Sequence, residues 1–297
     1  MAVTRQDFPT LGCGVGLRTA HYERVLQAPA QVDWFEVIAE NFMVDGGRPL
    51  RVLERVRADY PIALHGVSLS IGATDPLDRA YLRRLKLLAE RVQPAWLSDH
   101  LCWTGAGGRN LHDLLPLPYT EEVVAHVAGR VRRVQEIVQR PLLLENISSY
   151  LTFSSSRMEE AQFVRAVAQA AGCAILLDIN NIHVNAVNHG LDPRRYIDSI
   201  PPELVVQYHL AGHRDCGAYL LDTHDEPIRP AVWELYQYAV ARLGPAATLI
   251  EWDDRLPAFE VLEDAAAHAR RLALGASSGA GIEQEFAAPD GPRPLRS

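Results

Sequence analysis

The sequence predicts a (β/α)₈ TIM barrel, an α/β fold in which strands and helices alternate around one closed parallel sheet. Three observations lead there. Short apolar runs recur along the chain, continuous enough to be strands covered on both faces. Between many of them lie stretches with apolar residues at i, i+3, i+4 and i+7, the spacing that buries one face of a helix. The runs also end in acids and imidazoles or lead straight into them. A polar group at the end of a buried strand needs a partner or an ion.

Taken in order, the first strand is expected at 12–17, where Gly12, Gly14 and Gly16 lack the spacing of a dinucleotide loop and suit a close backbone approach. The second, 34–41, carries Glu36, Glu40 and Asn41. The third, 61–65, ends in His65, the fourth, 95–100, in Asp99 and His100, and the fifth, 141–146, in Glu145 and Asn146. The sixth, 174–180, reaches Asp178 and Asn180; the seventh, 205–209, ends in His209; the eighth, 248–253, holds Glu251 and Asp253. Helices are expected over 49–60, 77–92, 121–138, 158–171 and 231–243. Strand then helix, repeated over roughly 260 residues, is the barrel pattern, and barrels gather catalytic groups at their carboxyl-terminal mouth. A doubly wound sheet would place its site at one switch point and would not need polar ends on six strands. The seventh connection, 211–227, is long, and long loops in compact domains usually carry function. One barrel domain is assigned to 1–274. Residues 275–297, rich in Gly, Ser, Ala and Pro, are expected to form a disordered tail.

Composition narrows the function classes. The formal net charge is -8, and Arg83, Arg84, Lys86, Arg130, Arg132 and Arg133 fall on helical stretches, as solvated faces do. Nucleic acid is therefore not the expected partner. Cys13, Cys102, Cys173 and Cys216 are scattered without C-x-x-C spacing, unlike a disulfide scaffold or zinc ribbon. The first ten residues lack the apolar core of a signal peptide, and no apolar run reaches the roughly 18 residues of a membrane span. A cytoplasmic, reducing setting is expected.

Eight residues are candidate metal ligands: His65, His100, Glu145, Asp178, His209, Asp222, His224 and Glu251. A single buried acid or imidazole can be satisfied by hydrogen bonds. Several unpaired buried acids repel one another unless cations join them. Imidazole with carboxylate suits zinc, iron or manganese, and one ion takes only about four to six ligands. The set therefore fits two or three ions with an acid such as Glu145 bridging. In Asp222-Thr223-His224 an extended backbone would turn both side chains to one side. Asp99 and Asn146 suit a supporting role beside the ligands that they adjoin. Asn180, Asn181 and His183 are candidates for inner or outer positions, His213 for ligand or substrate contact, His189 for a turn or substrate contact, and Asp253 for outer support. His209-Leu-Ala-Gly-His213 lacks the glutamate of a zinc-protease helix and has an interior glycine. Ser148, Ser149 and Ser154 to Ser156 read as loop and cap residues, and His21, His112, His126 and His268 as lying off the site.

These tracts resemble a known family. Leu64-His-Gly-Val-Ser-Leu-Ser70, Ser98-Asp-His-Leu101, Leu144-Glu-Asn146, Leu177-Asp-Ile-Asn-Asn181, Asn188-His-Gly190, Tyr208-His-Leu-Ala-Gly-His213, Leu221-Asp-Thr-His224 and Leu249-Ile-Glu-Trp-Asp253 are similar to the multinuclear non-heme iron-dependent oxidases, which include the methanobactin-type peptide-modifying oxidases. The resemblance covers roughly residues 10–272, and the motifs are specific in combination rather than singly. It implies a xylose-isomerase-like barrel with two or three irons and dioxygen as co-substrate. It also implies a cysteine-containing precursor peptide as substrate, and a leader-binding partner protein forming a heterodimer. By motif, the eight candidates above would bind iron, with Glu145, Asp178, His209 and Glu251 at the catalytic centre. His183 stands where family members often carry tyrosine. In such a site a substrate thiolate would bind an open iron position, lowering its pKa. The rival enzyme reading is a divalent-metal hydrolase or isomerase of the xylose isomerase/AP endonuclease type. A protein that only binds metal or peptide is the third.

Overall fold

The computed structural model describes residues 3–277. In chain order its strands are β1 Cys13–Gly16, β2 Phe35–Ile38, β3 Ile62–Gly66, β4 Leu97–His100, β5 Trp103–Ala106, β6 Arg109–Leu115, β7 Leu142–Glu145, β8 Ala174–Asp178, β9 Val205–Leu210, β10 Arg214–Asp215, β11 Leu220–Leu221 and β12 Ala247–Ile250. Every expected run holds one strand of a closed barrel, which runs β1-β2-β3-β4-β7-β8-β9-β12 and back to β1. All eight pairings are parallel.

The five expected helices form as α2 Arg48–Asp59, α3 Arg79–Val92, α4 Glu121–Val138, α5 Glu160–Ala171 and α8 Pro230–Leu243, and four more join them: α1 Tyr22–Gln27, α6 Ile179–His189, α7 Pro193–Asp198 and α9 Phe259–Ser277. Their ends follow from local chemistry. Asp78 accepts the Ala80 and Tyr81 N–H groups at the start of α3, and Thr120 accepts Val123 N–H at the start of α4. Gly172 ends α5 at φ 65°, a left-handed conformation that glycine adopts without strain. Helix α9 runs to Ser277, into the segment assigned to the tail; residues 278–297 lie outside the described residues.

Two antiparallel hairpins interrupt the alternation. Strands β5 and β6 follow β4, turning at Gly107 and Gly108 (φ 60° and 74°), and β10 with β11 sits in the long seventh connection. The first was not anticipated, although Gly-Gly between short runs is a hairpin signal.

Inside the barrel, strand period two decides what each side chain meets. Outward residues such as Phe35, Leu64, Leu144, Leu177 and Ile250 join the core beneath the helices. Trp34, Ala63, Leu143, Leu176 and Leu249 point inward and form a second apolar cluster with Phe8, Trp96, Ala174, Val206 and Ala247. The expected close approach in β1 is seen at Gly14, where a Cβ would lie 2.6 Å from the Trp34 ring.

Candidate metal centre at the barrel mouth

Moving two residues towards the mouth from that inner cluster changes the chemistry. Trp34 gives way to Glu36, Ala63 to His65, Leu143 to Glu145, Leu176 to Asp178 and Leu249 to Glu251, all buried. Strand β9 reaches the same level by a bulge: between Ile175 and Leu176 of β8 its register jumps from Val205 to Gln207. The extra residue lets Val206 join the inner cluster while Gln207 and His209 meet the acids above it. Re-aiming side chains in this way is a common use of bulges beside functional sites.

The structure brings the ligand-type atoms into three groups, His65–His100–Glu145, Glu145–Asp178–His209–Glu251 and His224–Glu251–Asp253, each with its atoms within 4.8 Å of one another. Glu145 belongs to the first two and Glu251 to the last two. Glu145 Oε2 lies 3.4 Å from Nε2 of both His65 and His100. His209 Nδ1 lies 3.0 Å from Glu251 Oε2, 3.3 Å from Glu145 Oε1 and 4.0 Å from Asp178 Oδ2. His224 Nδ1 is 3.4 Å from Glu251 Oε2 and 3.2 Å from Asp253 Oδ2, while its Nε2 is 2.7 Å from Asp222 Oδ1. Among the described residues, His65 Nε2, Glu145 Oε2, Asp178 Oδ2, His209 Nδ1, His224 Nε2 and Glu251 Oε2 are buried, and close as they stand to one another or to Asp222, none meets a partner in hydrogen-bonding geometry. Buried polar atoms left unpaired are costly. So many, aimed at shared points, fit a set of cations.

The charge balance points the same way. Glu36, Glu145, Asp178, Asp222, Glu251 and Asp253 surround four imidazoles, while Arg18, 2.5 Å from Asp253, is the guanidinium paired into the group. Burial and the charge of Glu145 push the Asp178 carboxyl well above its ordinary value. Burial also disfavours ionised Glu145, but His100, His209 and His65 outweigh it and hold that carboxyl low. His209 is raised although burial opposes its charge, because Glu36, Glu251 and Glu145 face it. His224 behaves likewise, under Asp222 and Glu251. Protons on these imidazoles thus balance acids that a bound cation would otherwise balance.

Supporting contacts orient the set. His65 Nδ1 meets Ser98 Oγ at 2.9 Å, leaving Nε2 towards Glu145. His209 Nε2 lies 3.2 Å from Glu36 Oε1, leaving Nδ1 towards Glu145 and Glu251. A carboxylate behind an imidazole is the usual means of fixing a ligand ring. Glu36 is in turn held by Gln207, whose Nε2 donates to Glu36 Oε2 at 2.7 Å and whose Oε1 accepts Trp96 Nε1–H at 2.6 Å. Asp99 accepts the backbone N–H groups of His100 and Leu69. Asn146 accepts Asp178 N–H and donates to Asp178 O, tying β7 to β8. Asp178 also caps α6 by accepting Asn181 N–H at 2.6 Å. Helix α6 therefore starts where the sixth strand was expected to continue to 180.

Several residues lie elsewhere than expected. Asp253, read as outer support, sits in the His224–Glu251 group. The segment 222–224 is not simply extended, since His224 has φ 48°; its N–H donates to Gly212 O and its side chain returns towards Asp222. Ser148, read as a loop residue, donates to Asp222 Oδ2 at 3.0 Å. Asn180 donates to Asp222 Oδ1 and accepts from His213 Nδ1, both at 2.7 Å. His183 lies beside His213 with ring centroids 5.2 Å apart and planes tilted by 32°, outside the three groups; burial lowers both, His213 to about 4. His189 closes α6 against Ser149, away from the acids. Glu36, Gln207 and Arg18 were missed as site residues. The signal for the first two was present: Glu36 lies two positions beyond Trp34, and Gln207 two before His209.

Comparison with known proteins places the chain. Residues 12–274 match the family described as RiPP precursor modification enzyme MbnB/TglH/ChrH. The UPF0276 protein of Anaeromyxobacter sp. strain Fw109-5 is 57% identical over 257 residues, covering 86% of this chain and 90% of that protein. The UPF0276 protein of Caulobacter vibrioides is 53% identical over 261 residues, covering 88% and 92%. Among solved structures, L-ribulose 3-epimerase aligns with TM-score 0.59 at 16% identity, covering 93% of this chain and 99% of its own. The IOLI protein with a bound zinc atom aligns with TM-score 0.56 at 11% identity, covering 90% and 98%. At such identities the likeness carries the xylose-isomerase-like barrel fold alone. The chain belongs to the MbnB/TglH/ChrH family of enzymes that modify ribosomally made precursor peptides.

Proposed function

We propose that this family member is a multinuclear iron oxidase that uses dioxygen to modify a cysteine of its precursor peptide. Its ligands would be His65, His100, Glu145, Asp178, His209, Asp222, His224 and Glu251, with Asp253 added to the outermost group. Glu145, Asp178, His209 and Glu251 form the catalytic core of this reading. The observation that carries it is the sharing of Glu145 and Glu251 between three clusters of ligand-type atoms, two of them fully buried. A mixed imidazole and carboxylate set without thiolate suits iron in either common oxidation state. A leader-binding protein as heterodimeric partner and a reducing cytoplasmic setting complete the proposal.

Bound there, iron ions with open positions would supply dioxygen reduction and a point of attachment for the substrate thiolate. The protein's own groups do the rest. Glu145, facing His65, His100 and His209, and Glu251, facing His209 and His224, would hold neighbouring positions together. Ser98 and Glu36 fix the rings of His65 and His209, so that one nitrogen of each stays directed inward. Asn146 and Asn181 hold the Asp178 backbone and carboxylate in place. The apolar floor beneath, closed by Trp34 and Trp96, keeps water from entering the centre from below.

The test is metal analysis of protein loaded anaerobically with ferrous iron, followed by oxygen uptake with a cysteine-containing peptide. Two or three irons per chain, oxygen consumption and a mass change confined to the cysteine residue are expected. Preferential zinc or magnesium loading with peptide left intact in oxygen would overturn the oxidase in favour of a hydrolase or isomerase.

A further inference from the structure

A cavity of about 460 Å³ lies beside the mouth, between the chain that follows β7 and the ends of α6 and α7. Its size falls within the roughly 300–1,000 Å³ of small-molecule sites. Leu117, Leu151, Met158, Leu191 and Tyr196 supply apolar wall, and Glu160 puts a carboxylate among them. Among the described residues the partners of Glu160 are neutral: Tyr196 Oη–H donates to Oε1 at 3.3 Å and Asn185 Nδ2–H to Oε2 at 3.1 Å. The nearby Arg195 is turned to Glu159, 2.6 Å away at the rim. Burial pushes the Glu160 carboxyl up to about 7, as expected of an acid that lacks a cation.

The cavity shares a wall with the metal-type residues. Residues 146–149 run directly from Glu145 to Ser149, which lines the cavity, and Ser148 donates to Asp222 on the way. Helix α6 joins the same two places, with Asp178 at its start and His189, another lining residue, at its end. That separation is about 16 Å along the helix, or about five residues of extended peptide. At its rim the lining residues Leu151 and Leu191 are 47% and 54% exposed, beside Glu159 and Asp192.

We propose that this cavity is a subsite for a basic side chain, lysine or arginine, of the precursor peptide, positioned about five residues from the modified residue. An aliphatic stem would lie against Leu117, Leu151 and Leu191 while its cationic end meets Glu160, the division of such side chains into apolar stem and charged head. A cation is the group that Glu160 lacks, and the short span to Glu145 favours the peptide over a separate protein as its source. The assignment rests on the peptide-modifying reading above and adds a specificity element to it.

The experiment compares two fluorescein-labelled peptides of Gly and Ser around one Cys, with Lys about five residues to either side or norleucine in its place. Binding to the iron-loaded full chain is read by anisotropy at pH 8 without oxygen, so that no turnover is needed. The lysine peptide should bind about tenfold more tightly. Glu160→Gln should bring the ratio near one, and Leu191→Lys, an exposed rim change independent of the Glu160 hydrogen bonds, should lower it several-fold. Equal binding by the wild type, as expected if a partner protein supplies the basic group, overturns the proposal. So does a lysine preference untouched by both substitutions, or no measurable binding of the lysine peptide. Admitting oxygen afterwards separates the two readings: lysine preference without a mass change sinks the oxidase alone, and modification without preference sinks the subsite alone.

Discussion

At the floor of the barrel Trp34, Ala63, Leu143, Leu176 and Leu249 pack as hydrocarbon, while two residues further along the same strands stand Glu36, His65, Glu145, Asp178 and Glu251. Both layers are buried, and both are built by the same alternation of side chains. They differ in what burial does. In the lower layer removal from water stabilises each side chain, by about 1.5–3 kcal/mol for a residue such as leucine. In the upper layer it opposes every ionised acid, so that the groups hold together only through protons or cations. Gln207 joins them, accepting from Trp96 below and donating to Glu36 above. The lower layer thus stabilises the fold that the upper layer strains, a division expected where a site is assembled for binding.

The largest test of this contrast is Glu145→Gln. It should lower peptide modification by at least about 100-fold, the upper range even for residues that merely support ligands. Bound iron measured by mass spectrometry should fall as well. Without metal the variant should melt lower than the wild type, because His100, His209 and His65 hold the Glu145 carboxyl low and would lose their buried acid; a higher melting temperature would mean that acids, not imidazoles, are in excess without metal. Leu143→Ala, two residues below on the same strand, should spare the iron. It should lower stability by about 2–5 kcal/mol through lost packing, read by denaturant titration, while iron per folded chain stays constant. Loss of iron without loss of stability would break the separation of layers. The smallest effect is expected at the rim. Asp253→Asn should weaken the outermost ion alone, by about tenfold, leaving the others in place in an iron titration. Simultaneous loss of all ions would mean that the three groups act as one.

Much of this was legible in the sequence because it depends on short-range periodicity. Two-residue alternation in Ala63-Leu64-His65 or Leu143-Leu144-Glu145 marks which side chain enters the barrel, and helical spacing in 121–138 marks which face covers it. The hairpin at Trp103–Leu115 was less visible because its strands are exposed and lack a buried face to impose alternation. Helix α6 was masked by the strand before it, which passes into the helix at Asp178 with no intervening loop.

The sequence by itself determined the barrel and most of the residues that meet inside it, since strand and helix periods are local. Only the tertiary structure decided how they divide. That Glu145 and Glu251 each serve two groups, that Asp253 joins His224, and that both Gln207 and His209 reach Glu36 depend on distances across the barrel and on one bulge in β9. Such distances are set by the closure of eight strands together, and no local pattern in the chain encodes them.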